Sequence, residues 1–352
     1  MIVGTCGFGS TGSSAVTDYL KEFNTFQVLD NFEFTWVSAV DGLIDLDFHI
    51  NNPHNRTTDS ICAIERFKKL CEDEAYVFQS FGIPKDVYLK NINEFLDSII
   101  TTSWKWNPPK INHPSIFERI LLRIIQKYKI ITKWEVKHGR QWEGFPYKDV
   151  YLSVKPQDFD GKAKKLVMSM FEATGADLSK PIALDQPFPG NNPQACFKYY
   201  EDPYAIVVDR DPRDNYTFGR TKLLQKSFCH LMPTNSVEDY IKYYRAIREN
   251  QPYKEKNNRV LAIQFEDMIY HYDETTEKIR DFLKLGDNPA PKSIFDPAIS
   301  MPNTQVWKRY PQFAKDIKRI EEELPEYLFD YTGCPEPDPN GEMFVGKSPK
   351  NK

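Results

Sequence analysis

The chain predicts an α/β fold, a mainly parallel sheet flanked by helices, with a mainly helical insertion. Three observations predict it. Five short apolar runs rich in strand-forming residues, Ile2-Val3 and the stretches 26–29, 182–184, 205–208 and 260–265, are spaced far apart along the chain. Between them the apolar residues recur with helical period, as at 67–75, 87–100, 116–128, 162–175, 237–250 and 275–285. Strands that alternate with helices pair in parallel and are covered on both faces. Finally, 352 residues with 14% aromatic content supply enough material for one large core.

The elements follow in order. After Ile2-Val3 comes Gly7-Phe8-Gly9-Ser10-Thr11-Gly12-Ser13-Ser14, then a helical stripe of Val16, Tyr19, Leu20 and Phe23. Glycines let the backbone turn with its N–H groups facing inward, and the first helical turn adds unpaired donors and a positive dipole end. A phosphate ester fits such a nest, so the sheet is of the P-loop type. Lysine is required after the last glycine for ordinary nucleoside triphosphate hydrolysis, and Ser13 stands there. The second run, 26–29, leads to Glu33. From about 41 to 180 helical segments dominate, which marks an insertion beside the sheet. The run 182–184 ends in Asp185, 205–208 ends in a cluster of arginines, and 260–265 leads to the helix at 275–285. Residues 1–334 read as a single domain with this insertion. The proline- and lysine-rich end, 335–352, reads as a disordered tail.

Composition excludes several classes. A net charge of -4 offers no general field for nucleic acid. No apolar run is long enough to span a bilayer, and the first strand begins too early for a signal peptide, so a cytoplasmic location is expected. Cys6, Cys62, Cys71, Cys196, Cys229 and Cys334 contain no C-x-x-C pair, which argues for reduced thiols. His49, His54, His113, His138, His230 and His271 show no metal-ligand spacing. Trp104, Trp106, Trp134 and Trp142 lie among polar residues of the insertion, as core or as sugar-stacking platforms. Nothing in the sequence sets the oligomeric state.

The most specific segment is Arg210-Asp211-Pro212-Arg213-Asp214 at the end of the 205–208 run. Arginine offers a planar fork suited to phosphate, and the aspartates can orient it or cap the following helix. A salt-bridged turn would use the same residues. At this point the chain resembles the sulfotransferases that use 3′-phosphoadenosine 5′-phosphosulfate (PAPS). The resemblance rests on Thr11-Gly12-Ser13-Ser14, on Arg210 to Asp214, on Phe265-Glu266-Asp267 with the helix ending Phe282-Leu283-Lys284-Leu285-Gly286, and on Asn303-Thr304-Gln305-Val306-Trp307-Lys308. Residues 33–46 are further similar to bacterial sulfotransferases of surface glycans. The resemblance implies sulfuryl transfer from PAPS to a hydroxyl or amine of an acceptor, a carbohydrate by the similarity at 33–46. It places the cosubstrate on Gly9, Ser10, Thr11, Gly12, Ser13, Ser14, Arg210, Thr217, Trp307 and Lys308. Two positions depart from the family. Ser10 replaces the usual Lys or Arg, leaving Lys308, Arg213, Arg220 or a lysine of the insertion as the cation. Phe218 replaces a serine, which makes Thr217 the nearest hydroxyl.

Sulfuryl transfer needs positioning, a cation on the nonbridging oxygens and a base, and requires no metal. Asp185 and Glu33 are the candidate bases, each standing just past a strand where the family carries such a group. As alternatives, Asp185 is a strand-end cap and Glu33 a solvated loop charge. Two rival functions share the pattern: a P-loop kinase or NTPase with Asp185 beside Mg2+, and a non-catalytic glycan- or nucleotide-binding protein.

Overall fold

The computed structural model describes residues 1–52, 57–106, 115–139, 148–221, 232–249, 251–252 and 257–344. His54, His113, Trp142, Cys229, His230 and the tail from residue 345 lie outside the described residues. The chain divides into two compact units. One comprises residues 1–38, 80–82 and 171 onward; the other comprises 39–79 and 83–170. In chain order the strands are β1 (Ile2–Gly7), β2 (Gln27–Leu29), β3 (Thr102–Trp106), β4 (Lys148–Leu152), β5 (Ile182–Asp185), β6 (Pro203–Asp209) and β7 (Val260–Gln264).

Five of them form one parallel sheet in the order β2-β5-β1-β6-β7. The fold is therefore α/β, with β1 at the centre. Ile2 pairs with Ile182 on one side and Pro203 on the other; β5 stops at Asp185 opposite Thr5, while β1 and β6 run on side by side to Gly7 and Asp209. The carboxyl edge of the sheet carries the glycine loop, Asp185 and Arg210. Helix α1 (Ser14–Leu20) follows the loop directly.

Strand side chains alternate between faces, so Val3 and Gly4 point to opposite sides. On the first side Val3, Ala183, Ile206, Val208 and Ile263 pack against Val16, Tyr19 and Leu20 of α1. Each of those three helix side chains is fully buried, contributing about 1.5–3 kcal/mol. On the second side Gly4 leaves room for a ring: a Cβ there would lie 2.4 Å from Phe188. Phe188 stands edge-on to Phe197 and Tyr200, both on the segment that covers this face.

The helices of the second unit are α2 (Leu43–Asn51), α3 (Thr57–Asp73), α4 (Ala75–Ser80), α5 (Lys85–Ile99), α6 (Ile116–Thr132) and α7 (Trp134–His138). Its core holds Phe67 against Phe95 and Phe78 stacked on Tyr88. Arg66 donates to Asp41 at 2.6 Å and to Asp45 at 2.7 Å, which ties α3 to the start of α2. The antiparallel pair β3-β4 is a finding outside the helical segments that the periodicity marks, its strands separated in sequence by α6 and α7. Thr102-Ser103-Trp104-Lys105-Trp106 alternates with period two, the signal for a strand. Its Trp104 and Trp106 stack at 6.2 Å on one face, while Lys105 pairs with Asp149 at 2.9 Å on the other.

Helix α8 (Phe159–Ala173) begins in the second unit and its last residues belong to the first, in which α9 (Pro212–Arg220), α10 (Val237–Glu249), α11 (Phe265–Tyr270), α12 (Tyr272–Leu283), α13 (Pro297–Ser300) and α14 (Ala314–Glu323) follow. Helices α9, α10 and α14 share a separate core of Tyr216, Tyr240, Ile241, Tyr244, Ile317 and Ile320. Several boundaries differ from the periodicity. The run 260–265 stops at Gln264 because Phe265 opens α11, and the segment 67–75 is divided between a longer α3, Thr57–Asp73, and the start of α4. Residues 335–344, which composition places in the disordered tail, are held. Gln305 donates to the Pro335 carbonyl at 3.2 Å, Arg309 donates to those of Asp338 and Gly341, and the Phe344 amide donates to Asn303 at 3.0 Å.

Candidate functional site

The loop between β1 and α1 has the backbone of a nest. Gly9, Ser10 and Gly12 all take positive φ, at 84°, 54° and 88°. A side chain at Gly12 would also strike the ring of Phe265 at 2.5 Å. The backbone N–H groups of residues 9–14 donate to no acceptor among the described residues. Consecutive inward N–H groups ahead of a helix are what an anion binds.

Gln186, the residue after Asp185, braces this loop and was not read as functional in the sequence. Its Nε2 donates to Ser13 Oγ at 2.8 Å, while its Oε1 accepts from the Gly7 amide at 3.2 Å. Its φ of 53° marks a tight turn out of β5, a geometry no sequence signal announced. Thr11 braces the loop from within, its Oγ1 accepting from the Phe8 amide at 3.2 Å. Asn215 of α9 donates to the Gly9 carbonyl at 3.1 Å.

Arg210 joins the arginine motif to the loop. Its Nη1 donates to the Ser10 carbonyl at 3.3 Å and its Nη2 to the Asn303 carbonyl, while its Nε is buried without a partner. The guanidinium lies between the rings of Phe218 and Phe265, 4.3 and 4.6 Å from their centres. Arg210 is 3% exposed, and no carboxylate among the described residues forms an ion pair with it. Burial raises the pKa of Asp214 to about 7 and that of Glu266 well above its ordinary value, although Arg210 pulls both down. Arg210 thus sits beside two buried acids with no hydrogen-bonded carboxylate partner among the described residues, and its Nε is left without an acceptor.

A cavity of about 300 Å³ opens at this point. Ser10, Gly12 and Ser14 line it from the loop, Asp18 from α1, and Arg210, Phe218 and Phe265 from the far wall. Ala15 of α1, residues 294–296, Ile299, Ser300, Asn303 and Phe344 close the rest. Phe218, the departure from serine, packs against Phe344 at 5.2 Å and forms the floor under Arg210.

The remaining expected contacts lie apart from the cavity lining. The Thr217 hydroxyl donates to the Arg213 carbonyl at 2.7 Å, inside its own helix. Trp307 carries the Arg213 guanidinium at 4.2 Å, and Lys308 pairs with Glu336. Arg213 itself is bound by Asp211 at 2.6 Å and by Glu321 at 2.9 Å, and Arg220 donates to Asn235 at 3.3 Å. Of the cations considered, then, Lys308, Arg213 and Arg220 are all engaged elsewhere. Asp211 caps α9, accepting from the Arg213 amide at 2.8 Å, and Asp214 accepts from the amides of Gln305 and Val306.

Asp185 ends β5, the strand beside β1, opposite Thr5 in register. Its Oδ1 is buried without a partner. Burial and the charges of Glu33 and Asp30, with a smaller push from Asp18, raise its pKa to about 7 against the pull of Lys21. Lys21 is itself bridged between Asp18, at 2.9 Å, and Asp30. Glu33 is exposed, four residues past β2, and acts on Asp185 through its charge.

No family model matches the chain, and no curated protein does. Among solved structures it is similar to the sulfotransferase domain from the curacin biosynthetic pathway, at 10% identity and a TM-score of 0.36 over 82% of this chain and 75% of that one. A second is the sulfotransferase domain from the Synechococcus PCC 7002 olefin synthase, at 10% identity and a TM-score of 0.37 over 94% of each chain. Both likenesses are distant.

Proposed function

We propose that this chain is a PAPS-dependent sulfotransferase acting on a hydroxyl or amine of a carbohydrate acceptor. The observation that carries the proposal is Arg210, buried with an unpartnered Nε and bonded to the loop whose N–H groups donate to no acceptor among the described residues. Two anion-binding features on one cavity suit a ligand with two phosphate groups. The loop, residues 9–14, would hold the 5′-phosphosulfate, with Arg210 on the 3′-phosphate. The acceptor oxygen or nitrogen attacks sulfur, the bond from sulfur to the phosphate oxygen breaks, and the acceptor proton passes to a carboxylate. Asp185 is the proposed base, with a pKa near 7 that suits proton transfer at neutral pH. Burial is the larger cause of that pKa, and the charge of Glu33 adds to it from outside. The glycan acceptor rests on the similarity at 33–46.

One observation favours a second reading. Asp185, on the strand next to the loop strand, also stands where an NTPase keeps its Mg2+-associated acid. Thermal denaturation with 3′,5′-bisphosphoadenosine in EDTA, set against ATP with Mg2+, separates the two, because a bound ligand raises the midpoint by mass action. Stabilisation by the bisphosphate in EDTA is expected. Stabilisation by Mg-ATP alone would replace the sulfotransferase reading with the NTPase one.

A further inference from the structure

Helix α6 turns a row of large apolar side chains to solvent. Ile116, Ile120, Ile124 and Tyr128 recur every fourth residue, with Phe117 and Leu121 beside them, and all are at least 40% exposed. Residues three and four apart share a helix face, so this is one continuous stripe. Ile130, Ile131 and Val136 extend the exposed apolar surface into α7. A stripe of this size is uncommon on an isolated soluble surface and marks a place where something docks.

Charge identifies the partner. Between residues 115 and 139 the sequence carries Arg119, Arg123, Lys127, Lys129, Lys133 and Lys137 against only Glu118 and Glu135. That segment is net positive, whereas the whole chain is net negative at -4. By helical angle Arg119 and Arg123 line one edge of the stripe, and Lys127 falls just within that edge, between Ile116 and Ile120. A second copy of the same helix would bring like charges together, which disfavours self-pairing. Nucleic acid would leave the isoleucines and phenylalanine in water. An anionic lipid surface satisfies both features, burying the apolar stripe at the acyl boundary while the cations meet headgroups.

We infer that α6 lies in the surface of a membrane containing anionic lipid. At 17 residues the helix is about 26 Å long and strongly charged. No helix among the described residues is long and apolar enough to cross a membrane. It therefore lies flat. The inference is independent of the reaction proposed above.

Co-sedimentation of the full chain with phosphatidylcholine vesicles, with and without phosphatidylserine, tests it. Binding to the serine-containing vesicles is expected, weakening as salt is raised. Ile120→Asn with Ile124→Asn should lower partitioning about tenfold or more, since two buried aliphatic side chains are lost. Arg123→Glu with Lys127→Glu should remove the preference for anionic lipid. Both pairs are solvent-exposed, and an unchanged thermal midpoint would show that each variant is folded. Absence of binding to anionic vesicles at low salt would overturn the inference, as would binding that neither pair weakens. A dimer in solution that the isoleucine pair converts to monomer, without vesicle binding, would assign the stripe to a second copy instead.

Discussion

At the scale of single residues, the proposed chemistry is divided between Asp185 and Arg210. Asp185 binds its proton up to about pH 7 in the folded chain and to about pH 4 once unfolded. The folded state holds the extra proton in that window, so this residue lowers stability as pH rises through it, by at most about 1.4 kcal/mol per pH unit. Urea denaturation of Asp185→Asn at pH 4, 6 and 8 should show the stability difference moving in the variant's favour as pH rises. The same substitution should lower sulfuryl transfer by about 10²–10⁴, and wild-type turnover should climb through pH 7. Glu33→Gln should move that climb to lower pH without abolishing activity, and loss of all transfer in Glu33→Gln alone would make Glu33 the base. Arg210→Ala should weaken binding of 3′,5′-bisphosphoadenosine by about 1.5–3 kcal/mol, read by calorimetric titration. Unchanged affinity would make Arg210 a packing residue.

At the scale of elements, the loop and its helix form a unit that tolerates little. Gly12 combines a φ of 88° with a Phe265 ring where a Cβ would go. Gly12→Ala should cost more than about 2 kcal/mol, from backbone strain and displacement of a buried ring, measured by denaturant unfolding. The loop was legible because glycine spacing and the stripe of Val16, Tyr19 and Leu20 are local signals. Arg210 was legible as a charge cluster at a strand end. Gln186, in contrast, holds the loop from a turn 173 residues beyond Ser13, and no local pattern announces a brace across such a distance. Thr217 was read as a ligand from its hydroxyl, but a threonine inside a helix often turns that hydroxyl back to the carbonyl four residues earlier, as here. The segment 335–344 defeated composition for the opposite reason. Its prolines carry no helix or strand signal, yet its carbonyls serve Gln305 and Arg309. Removing residues 335–352 should strip Phe344 from the cavity wall, lowering both the thermal midpoint and nucleotide affinity; an unchanged affinity would show that Phe344 plays no part in the pocket.

At the scale of the whole molecule, five parallel strands were legible from alternation alone, because each strand of the sheet lies on a short, largely apolar run bounded by helical period. The antiparallel pair was not, since an exposed two-stranded ribbon needs no continuous apolar run. The strand order has a consequence for synthesis. β1 is made first, yet its ladder partners lie at 182–185 and 203–208. A ribosome adding about 5–20 residues per second leaves the central strand unpaired for roughly 10–40 seconds. During that interval Ile2, Val3 and Cys6 have no sheet to enter, and closing so long a loop is slow in its own right. A nascent chain halted at residue 200 should leave the β1 amides open to hydrogen exchange, and one halted well past residue 264 should protect them. The most deeply buried strand of the finished protein is thus the one that waits longest for shelter.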